Sequence, residues 1–140
     1  MKEKSFPEIK HNKKLPKVSI IIPAYNEERR LPHSLEKIVA FLQKQAYRAE
    51  VIVVDDGSID NTAAIVEDFM TRFSFISLIR NEHRGKGYAV KTGMLAASGE
   101  HLFLCDADLS MPIEEVVKFL PPLLNSYDVA IGSREVEGAR

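Results

Sequence analysis

The stretch Val18-Ser19-Ile20-Ile21-Ile22 decides the fold of this chain. It is short, almost continuously apolar and rich in β-branched residues, which is typical of a strand buried on both faces of a parallel sheet. Pro23 follows it and is expected to end the strand, because proline has no N–H to donate to a sheet ladder. Val51-Ile52-Val53-Val54 repeats the pattern and predicts a second strand of the same kind.

Segments with helical spacing alternate with these apolar runs. Further strands are predicted at 75–79, 102–105 and 129–131. The helical faces that separate the strands are Leu31, Leu35, Ile38, Val39 and Leu42; Ile65, Val66, Phe69, Met70 and Phe73; Ala89, Val90, Met94 and Leu95, with Gly99 as the stop; and Ile113, Val116, Val117 and Leu120. The alternation predicts an α/β fold with a mostly parallel sheet and helices on both faces. This domain would span residues 18–140, after a flexible basic arm at residues 1–17.

Composition narrows the functional class. The 140 residues suit one domain, and a net charge of −1 gives no electrostatic case for nucleic acid. The single cysteine, Cys105, excludes an internal disulfide framework and a cysteine-based zinc site, and fits a reducing compartment. No stretch approaches the ~20 apolar residues of a membrane span, and we see no secretory signal, so we expect a cytoplasmic protein.

The N-terminal arm is rich in lysine, and two interpretations of it stay open. Its lysines are Lys2, Lys4, Lys10, Lys13, Lys14 and Lys17. A solvated arm is favoured. The other interpretation is peripheral contact with an anionic membrane surface, at on the order of 1 kcal/mol per basic residue.

Polar motifs follow the predicted strands. They are Pro23-Ala24-Tyr25-Asn26-Glu27, Asp55-Asp56-Gly57-Ser58, Asp106-Ala107-Asp108 and Gly132-Ser133-Arg134, and Arg84-Gly85-Lys86-Gly87 opens a helix. Ligands of open α/β sheets bind outside the carboxyl ends of the strands. We therefore expect all of these motifs to open onto one edge of the sheet.

The residue types in these motifs suit a nucleotide diphosphate. The carboxylates of a D-x-D sequence can hold Mg²⁺ or Mn²⁺, which leave coordination positions open for substrate phosphates. Arg84-Gly85-Lys86-Gly87 could be a solvated basic turn, or it could equally offer two cations and backbone N–H groups to a phosphate at a helix N-terminus. Asp55 and Asp56 could form only a turn, but adjacent carboxylates at a buried strand end are expected to raise each other's pKa, an arrangement that is uncommon without a ligand.

Other classes of site lack their sequence patterns. There is no Walker A sequence and no G-x-G-x-x-G after the first strand. The chain also has no Ser-His-Asp order and no H-E-x-x-H, so a hydrolase is not supported. His83 borders the basic loop and is a minor candidate for ligand contact, and the remaining histidines show no ligand spacing.

Four segments together resemble family 2 glycosyltransferases with the GT-A fold. They are V-S-I-I-I-P-A-Y-N-E-E (18–28), V-I-V-V-D-D-G-S-I-D-N-T (51–62), R-G-K-G-Y-A-V-K-T-G (84–93) and D-A-D (106–108). The likeness is closest to polyprenyl- and dolichyl-phosphate β-glucosyltransferases and their dolichyl-phosphate mannose synthase relatives. It implies a Rossmann-like, mostly parallel GT-A sheet.

The resemblance also implies roles for single residues. The nucleotide-sugar donor would contact Pro23, Ala24, Tyr25, Glu27, Asp55, Asp56, Arg84, Gly85, Lys86, Asp106 and Ala107, with Asp56 favoured over Asp55 for the base. Asp108 and Asp106 would hold Mg²⁺ or Mn²⁺, Asp108 being the better ligand. Asp108 and Arg134 would serve catalysis at the donor phosphates.

The implied reaction is the inverting transfer of a hexose, with UDP-glucose the favoured donor, to a polyprenyl phosphate. The alternatives are a GDP-mannose-dependent mannosyltransferase and a nucleotide-sugar-binding module without turnover; a sugar nucleotidyltransferase is disfavoured. Family members continue well beyond G-S-R, so we expect this chain to be the truncated donor-binding part. An open sheet edge left by missing strands would invite formation of homo-oligomers.

Overall fold

The strands and helices alternate along the chain, as the sequence predicts. The structure is a computed structural model, and it describes residues 15–110 and 112–119. The elements are β1 (Val18–Ala24), α1 (Leu31–Gln43), β2 (Ala49–Asp55), α2 (Thr62–Arg72), β3 (Ile76–Arg80), α3 (Lys86–Ala96), β4 (His101–Leu104) and a 3₁₀ helix (Ile113–Phe119). The predicted strand at 129–131 and Gly132-Ser133-Arg134 lie outside the described residues.

The described strands form one parallel sheet in the order β3-β2-β1-β4. β1 and β2 are central, and every residue of β1 is buried. Ile20 and Ile22 belong to the core cluster that contains the buried faces of α1 and α2. Ile21 and Val54 face the other way and pack with Ala89 of α3. The sheet therefore carries helices on both faces, because its central strands are apolar on both sides.

The prediction that Pro23 ends β1 is wrong, since the strand continues to Ala24. The carbonyl of Ile21 accepts the N–H of Cys105, just beyond β4, and the carbonyl of Ala24 accepts the N–H of Asp56, just beyond β2. Backbone groups alternate in direction along a strand, so Pro23 faces the β4 side. The pairing with β4 ends opposite Ile21. The missing N–H of Pro23 therefore removes no bond from the ladder.

The helices follow the predicted faces in part: in α2, Val66 and Phe69 are buried as predicted, but Met70 is exposed and Phe73 lies just beyond the helix end. In α1, Leu31, Leu35, Ile38, Val39 and Leu42 are buried as predicted, and so is Phe41. In α3 the buried residues are Ala89 and Gly93, whereas Leu95 is 78% exposed. The predicted stop, Gly99, comes after the helix end at Ala96 and instead donates its N–H to Ser19 Oγ at 2.8 Å.

The predicted helix after Ser110 is a 3₁₀ helix in the structure, and its Ile113 and Val116 are buried as expected. Within the part of the chain that is described, none of the helices combines the length and apolar character that crossing a bilayer requires.

Gly93 sets how closely α3 approaches the sheet. A Cβ atom at this position would lie 2.5 Å from Ile21 Cγ2 and 3.0 Å from Val54 Cγ2. We expect Gly93→Ala to lower the free energy of unfolding by up to about 2 kcal/mol, because overpacking costs about 1–3 kcal/mol and the gain in helix propensity returns only roughly 1 kcal/mol. Urea denaturation measures the change.

Gly87→Ala is the matched control, because it lies in the same helix and no atom comes within 4 Å of its added Cβ. This variant should be neutral or slightly more stable. Equal effects of the two substitutions would contradict the close packing at Gly93.

Candidate active site

A cavity of about 410 Å³ opens at the carboxyl edge of the sheet. It is lined by Pro23, Ala24, Tyr25, Glu27, Asp56, His83, Gly85, Lys86, Ala89, Asp106, Ala107 and Asp108. These residues come from the ends of β1, β2 and β4 and from the start of α3. The parallel strand directions thus bring together motifs that are far apart in the sequence. Of the predicted site residues that the structure describes, all line the cavity except Asp55 and Arg84. Arg134 lies outside the described residues.

Asp56 joins the end of β2 to the basic loop before α3. Its side chain is buried, and Oδ1 accepts the backbone N–H of Arg84 at 2.8 Å. The N–H of Gly85 lies 3.0 Å from Oδ2, and His83 Nδ1 lies 2.9 Å from the same oxygen. One carboxylate therefore holds three consecutive residues of the loop, and Lys86 follows directly at the cavity.

These hydrogen bonds decide the charge of Asp56. Burial alone raises the pKa of this carboxyl, but the donors at Arg84, Gly85 and His83 outweigh burial and leave the pKa below its ordinary value. The sequence-based expectation of a raised pKa is therefore wrong for Asp56. The donors that compensate the buried charge come from the chain's own basic loop.

His83 is a cavity residue that sequence reasoning ranked low. Its ring stacks on Tyr25 with the ring centroids 4.2 Å apart and the planes 19° from parallel. Gly57 allows the approach: its φ is +76°, and a Cβ there would lie 2.7 Å from the His83 backbone nitrogen. In the sequence, Gly57 was the available sign that another segment approaches the backbone closely at this turn. No local sequence pattern shows that the approaching residue is His83. Ala89 also lines the cavity, and its small side chain gave no sequence signal.

Asp55 and Arg84 point to contacts outside the cavity lining. Asp55 is fully buried; its Oδ1 accepts the N–H of Ser58, and its Oδ2 lies 3.6 Å from Arg80 Nε. The guanidinium of Arg84 lies 5.1 Å from the ring centroid of Tyr88, and the backbone N–H of Arg84 donates a hydrogen bond to Asp56. Their predicted contacts with a donor stay predictions.

The loop after β1 is fastened to the loop after β2. Asn26 has a left-handed φ of 53°, which asparagine tolerates better than most residues. Its N–H donates to Ser58 Oγ at 2.8 Å, and its Oδ1 accepts the N–H of Ile59 at 2.9 Å. The N–H of Glu27 donates to Thr62 Oγ1 at 2.8 Å. These bonds fix the backbone that presents Tyr25 and Glu27 to the cavity.

The carboxylates of Asp106-Ala107-Asp108 face cations of other elements. Asp106 Oδ1 lies 2.8 Å from Lys86 Nζ at the start of α3. Asp108 Oδ2 lies 3.4 Å from a terminal nitrogen of Arg30, just before α1, and Asp108 Oδ1 accepts the N–H of Ser110 at 3.1 Å. Each carboxylate of the acidic pair therefore lies near one cation of another part of the chain.

This donor set fits a Mg²⁺ or Mn²⁺ ion that is shared with a phosphate ligand. Among residues 15–110 and 112–119, no group of three or more histidine, cysteine or acidic side chains could hold a metal by itself. Mg²⁺ commonly takes one or two carboxylates and completes its coordination with water and substrate phosphates. Asp106 and Asp108 are two carboxylates of this kind at the cavity.

Cys105 precedes the acidic pair as a buried, structural thiol. Burial, together with the negative charges of Asp106 and Asp108, raises the pKa of its thiol to about 12. A thiol is nucleophilic only as the thiolate, so Cys105 has no role as a nucleophile at neutral pH.

A comparison with protein families identifies the arrangement. Residues 19–139 match the family described as Glycosyl transferase family 2. The chain belongs to glycosyl transferase family 2. The match takes in β1, the Asp55-Asp56 turn, the basic loop and Asp106-Ala107-Asp108, the same segments on which the resemblance in the sequence was based.

Curated relatives of this family 2 chain are transferases. The dolichyl-phosphate β-glucosyltransferase of Drosophila melanogaster is 38% identical over an alignment of 150 positions, which covers 96% of this chain and 45% of the relative. The human protein of the same name is 35% identical, over 84% of this chain and 40% of its own length. A dolichol-phosphate mannosyltransferase of Pyrococcus furiosus is 37% identical, over 89% of this chain and 35% of its own length. The chain spans less than half of the length of these relatives.

Solved structures of glycosyltransferases confirm the GT-A fold class. The mannosyltransferase PcManGT of Pyrobaculum calidifontis, solved in complex with GDP-Man and Mn²⁺, has a TM-score of 0.61 and 31% identity over 74% of this chain and 30% of its own. TarS of S. aureus in complex with UDP-GlcNAc has a TM-score of 0.58 and 31% identity, over 66% of this chain and 26% of its own.

The Asp56 contacts generate a stability test. We expect Asp56→Asn to lower the free energy of unfolding by about 1–3 kcal/mol at neutral pH, because hydrogen bonds to a charged acceptor are lost in a buried position. The folded-state pKa of Asp56 is lowered, so its contribution is complete above the unfolded pKa and is lost as pH falls through the folded pKa. The stability gap between the parent chain and Asp56→Asn should therefore be constant above about pH 5 and shrink below about pH 4.

Asp68→Asn is the control for this measurement. Asp68 forms an exposed ion pair with Arg72 on α2, and such pairs contribute little. A gap for Asp56→Asn that does not change with pH would contradict the charged hydrogen bonds.

Proposed function

We propose that this chain is the donor-binding part of an inverting glycosyltransferase that transfers a hexose from a nucleoside-diphosphate sugar to a polyprenyl phosphate. UDP-glucose is the favoured donor, because several of the similar curated proteins bear the name dolichyl-phosphate β-glucosyltransferase. The acceptor class follows from the same names. Because a polyprenyl phosphate is a membrane lipid, we propose that the transfer takes place at a membrane surface.

The observation that carries the proposal is the mixture of charges in the cavity. Acidic residues from the ends of β2 and β4 and a lysine from the start of α3 line one space of about 410 Å³. A nucleotide sugar needs both kinds of group: carboxylates for a metal and for polar groups of the base or ribose, and cations for the diphosphate. The aromatic pair Tyr25–His83 adds a flat surface at the same cavity.

In the proposed reaction, an oxygen of the acceptor phosphate attacks the anomeric carbon from the side opposite the nucleotide. The bond to the leaving diphosphate breaks, and the configuration at the carbon inverts. Phosphate is an anion near neutral pH, so the step needs no strong general base. The main task of the protein is to stabilise the charge that builds on the leaving diphosphate.

Each proposed role belongs to a residue of the chain. Pro23, Ala24, Tyr25, Glu27 and Asp56 would surround the nucleoside. Lys86, with Arg84 and Arg134, would neutralise the diphosphate. Asp108 and Asp106 would hold a divalent cation, whose charge stabilises the leaving group when it is bound.

GDP-mannose is the second candidate donor. PcManGT was solved with GDP-Man and Mn²⁺, and a dolichol-phosphate mannosyltransferase is among the similar curated proteins. The cavity supports either nucleoside diphosphate, because both present the same diphosphate to the metal-binding carboxylates and the cations.

Nucleotide binding is the first test of the proposal. Isothermal calorimetry with Mg²⁺ or Mn²⁺ should detect binding of UDP and UDP-glucose, and weaker binding of GDP and GDP-mannose. Tighter binding of the guanosine ligands would select the mannosyl donor. Failure of all four nucleotides to bind would contradict the donor site, and binding without transfer to a polyprenyl phosphate would indicate a binding module.

Substitution of Asp108 tests its proposed role as a metal ligand. Asp108→Ala should abolish the dependence of nucleotide affinity on Mg²⁺ or Mn²⁺, because the substitution removes the favoured carboxylate ligand. Asp68→Ala, on the exposed face of α2, is the control and should keep the dependence. If metal dependence survives in Asp108→Ala, the ligand lies elsewhere.

A further inference from the structure

Arg30 connects two parts of the cavity and has no role in the proposed reaction. Its Nε and one terminal nitrogen bind the two oxygens of Glu27 at 2.8 and 2.9 Å, in the two-pronged geometry that suits a carboxylate. Its other terminal nitrogen lies 3.4 Å from Asp108 Oδ2. The short contacts anchor the guanidinium to the β1 loop, and the long contact reaches the acidic pair.

Each carboxylate of the acidic pair at this end of the cavity faces a cation of the chain, and Glu27 adds a further negative charge beside Arg30. Asp106 and Asp108 carry two negative charges, and Lys86 and Arg30 place two positive charges against them. A divalent cation with the diphosphate of a nucleotide sugar is also a neutral set, with two charges of each sign. An exchange of partners between these two sets therefore leaves the local charge unchanged.

We infer that Arg30 and Lys86 are internal counter-ions of Asp108 and Asp106. When a divalent cation binds the two carboxylates, Arg30 and Lys86 are released from them and bind the diphosphate that accompanies the cation. The inference rests on the proposed donor site and goes beyond it, because it assigns Arg30 a function and predicts how the two ligands depend on each other. Metal alone must separate the carboxylates from their cations, and diphosphate alone must separate the cations from their carboxylates.

The geometry of the two ion pairs suits such an exchange. The side chains of Arg30 and Lys86 are 59% and 64% exposed, so water can solvate each cation as it leaves its carboxylate. Exposed ion pairs are weak, so separating them costs little once new partners are present. The fork on Glu27 keeps Arg30 beside the cavity after Asp108 is released.

Exchange of partners makes the metal and the diphosphate bind cooperatively. If the metal binds first, Arg30 and Lys86 are already free for the diphosphate. If the diphosphate binds first, Asp108 and Asp106 are already free for the metal. By linkage, the factor by which Mn²⁺ strengthens UDP binding equals the factor by which UDP strengthens Mn²⁺ binding. This equality allows either titration to measure the coupling.

The first arm of the test is the binding of Mn²⁺ alone, measured from the electron paramagnetic resonance signal of free Mn²⁺. Arg30→Gln should tighten Mn²⁺ binding about two- to fivefold, the range that follows from the strength of an exposed ion pair. A residue that merely positions Asp108 for the metal would give the opposite result, weaker Mn²⁺ binding.

Arg29→Gln is the matched control. Arg29 is also exposed and adjacent in sequence, so its loss changes the net charge equally. Its Mn²⁺ affinity should stay within the error of the parent chain. Equally tighter Mn²⁺ binding in both variants would assign the effect to the change in net charge and would overturn the inference. Mn²⁺ binding that is no tighter in Arg30→Gln would overturn it as well.

The second arm measures coupling with UDP as the probe. The factor by which UDP strengthens Mn²⁺ binding should exceed one in the parent chain and in Arg29→Gln, and should fall in Arg30→Gln and Lys86→Met. An unchanged factor in both of these variants would overturn the exchange while leaving the donor site standing. Absence of UDP binding in the parent chain would overturn the donor site itself.

Discussion

The buried carboxylate of Asp56 is the contact on which the rest of the site depends. It accepts hydrogen bonds from the backbone N–H groups of Arg84 and Gly85 and contacts His83, so the end of β2 holds the loop that opens α3. A buried charge is costly unless its oxygens find donors, and here the donors come from the loop itself. Lys86 is placed at the cavity because the residues immediately before it are bound to Asp56.

The remaining walls depend on parallel strand directions. The loops after β1 and β2 lie at the same edge and are joined through Asn26, Ser58 and Thr62. The acidic pair after β4 reaches that edge because β4 lies beside β1. Catalytic and ligand-binding groups at such an edge rest on a rigid sheet, although they belong to loops.

Two classes of charged contact serve different purposes in this site. The contacts of Asp56 are buried and hold the loop in place, so they belong to the permanent structure. The contacts of Lys86 and Arg30 with the acidic pair are exposed, and in the exchange that we infer, ligand contacts would replace them at small cost. Under this inference, the same residue types would act as structure where they are buried and as exchangeable binding groups where water reaches them.

Sequence alone determined the order of the described strands and helices and most of the residues that line the cavity, because periodicity and turn residues act locally: the apolar run at Val18 predicted β1, and Asp106-Ala107-Asp108 predicted acidic groups at a strand end. Tertiary structure decided the rest. Pro23 stays within β1 only because β4 ends opposite Ile21. His83 reaches the cavity through Gly57, and Arg30 meets Asp108 across 78 positions of sequence. Such contacts depend on strand order and register, which no local pattern contains.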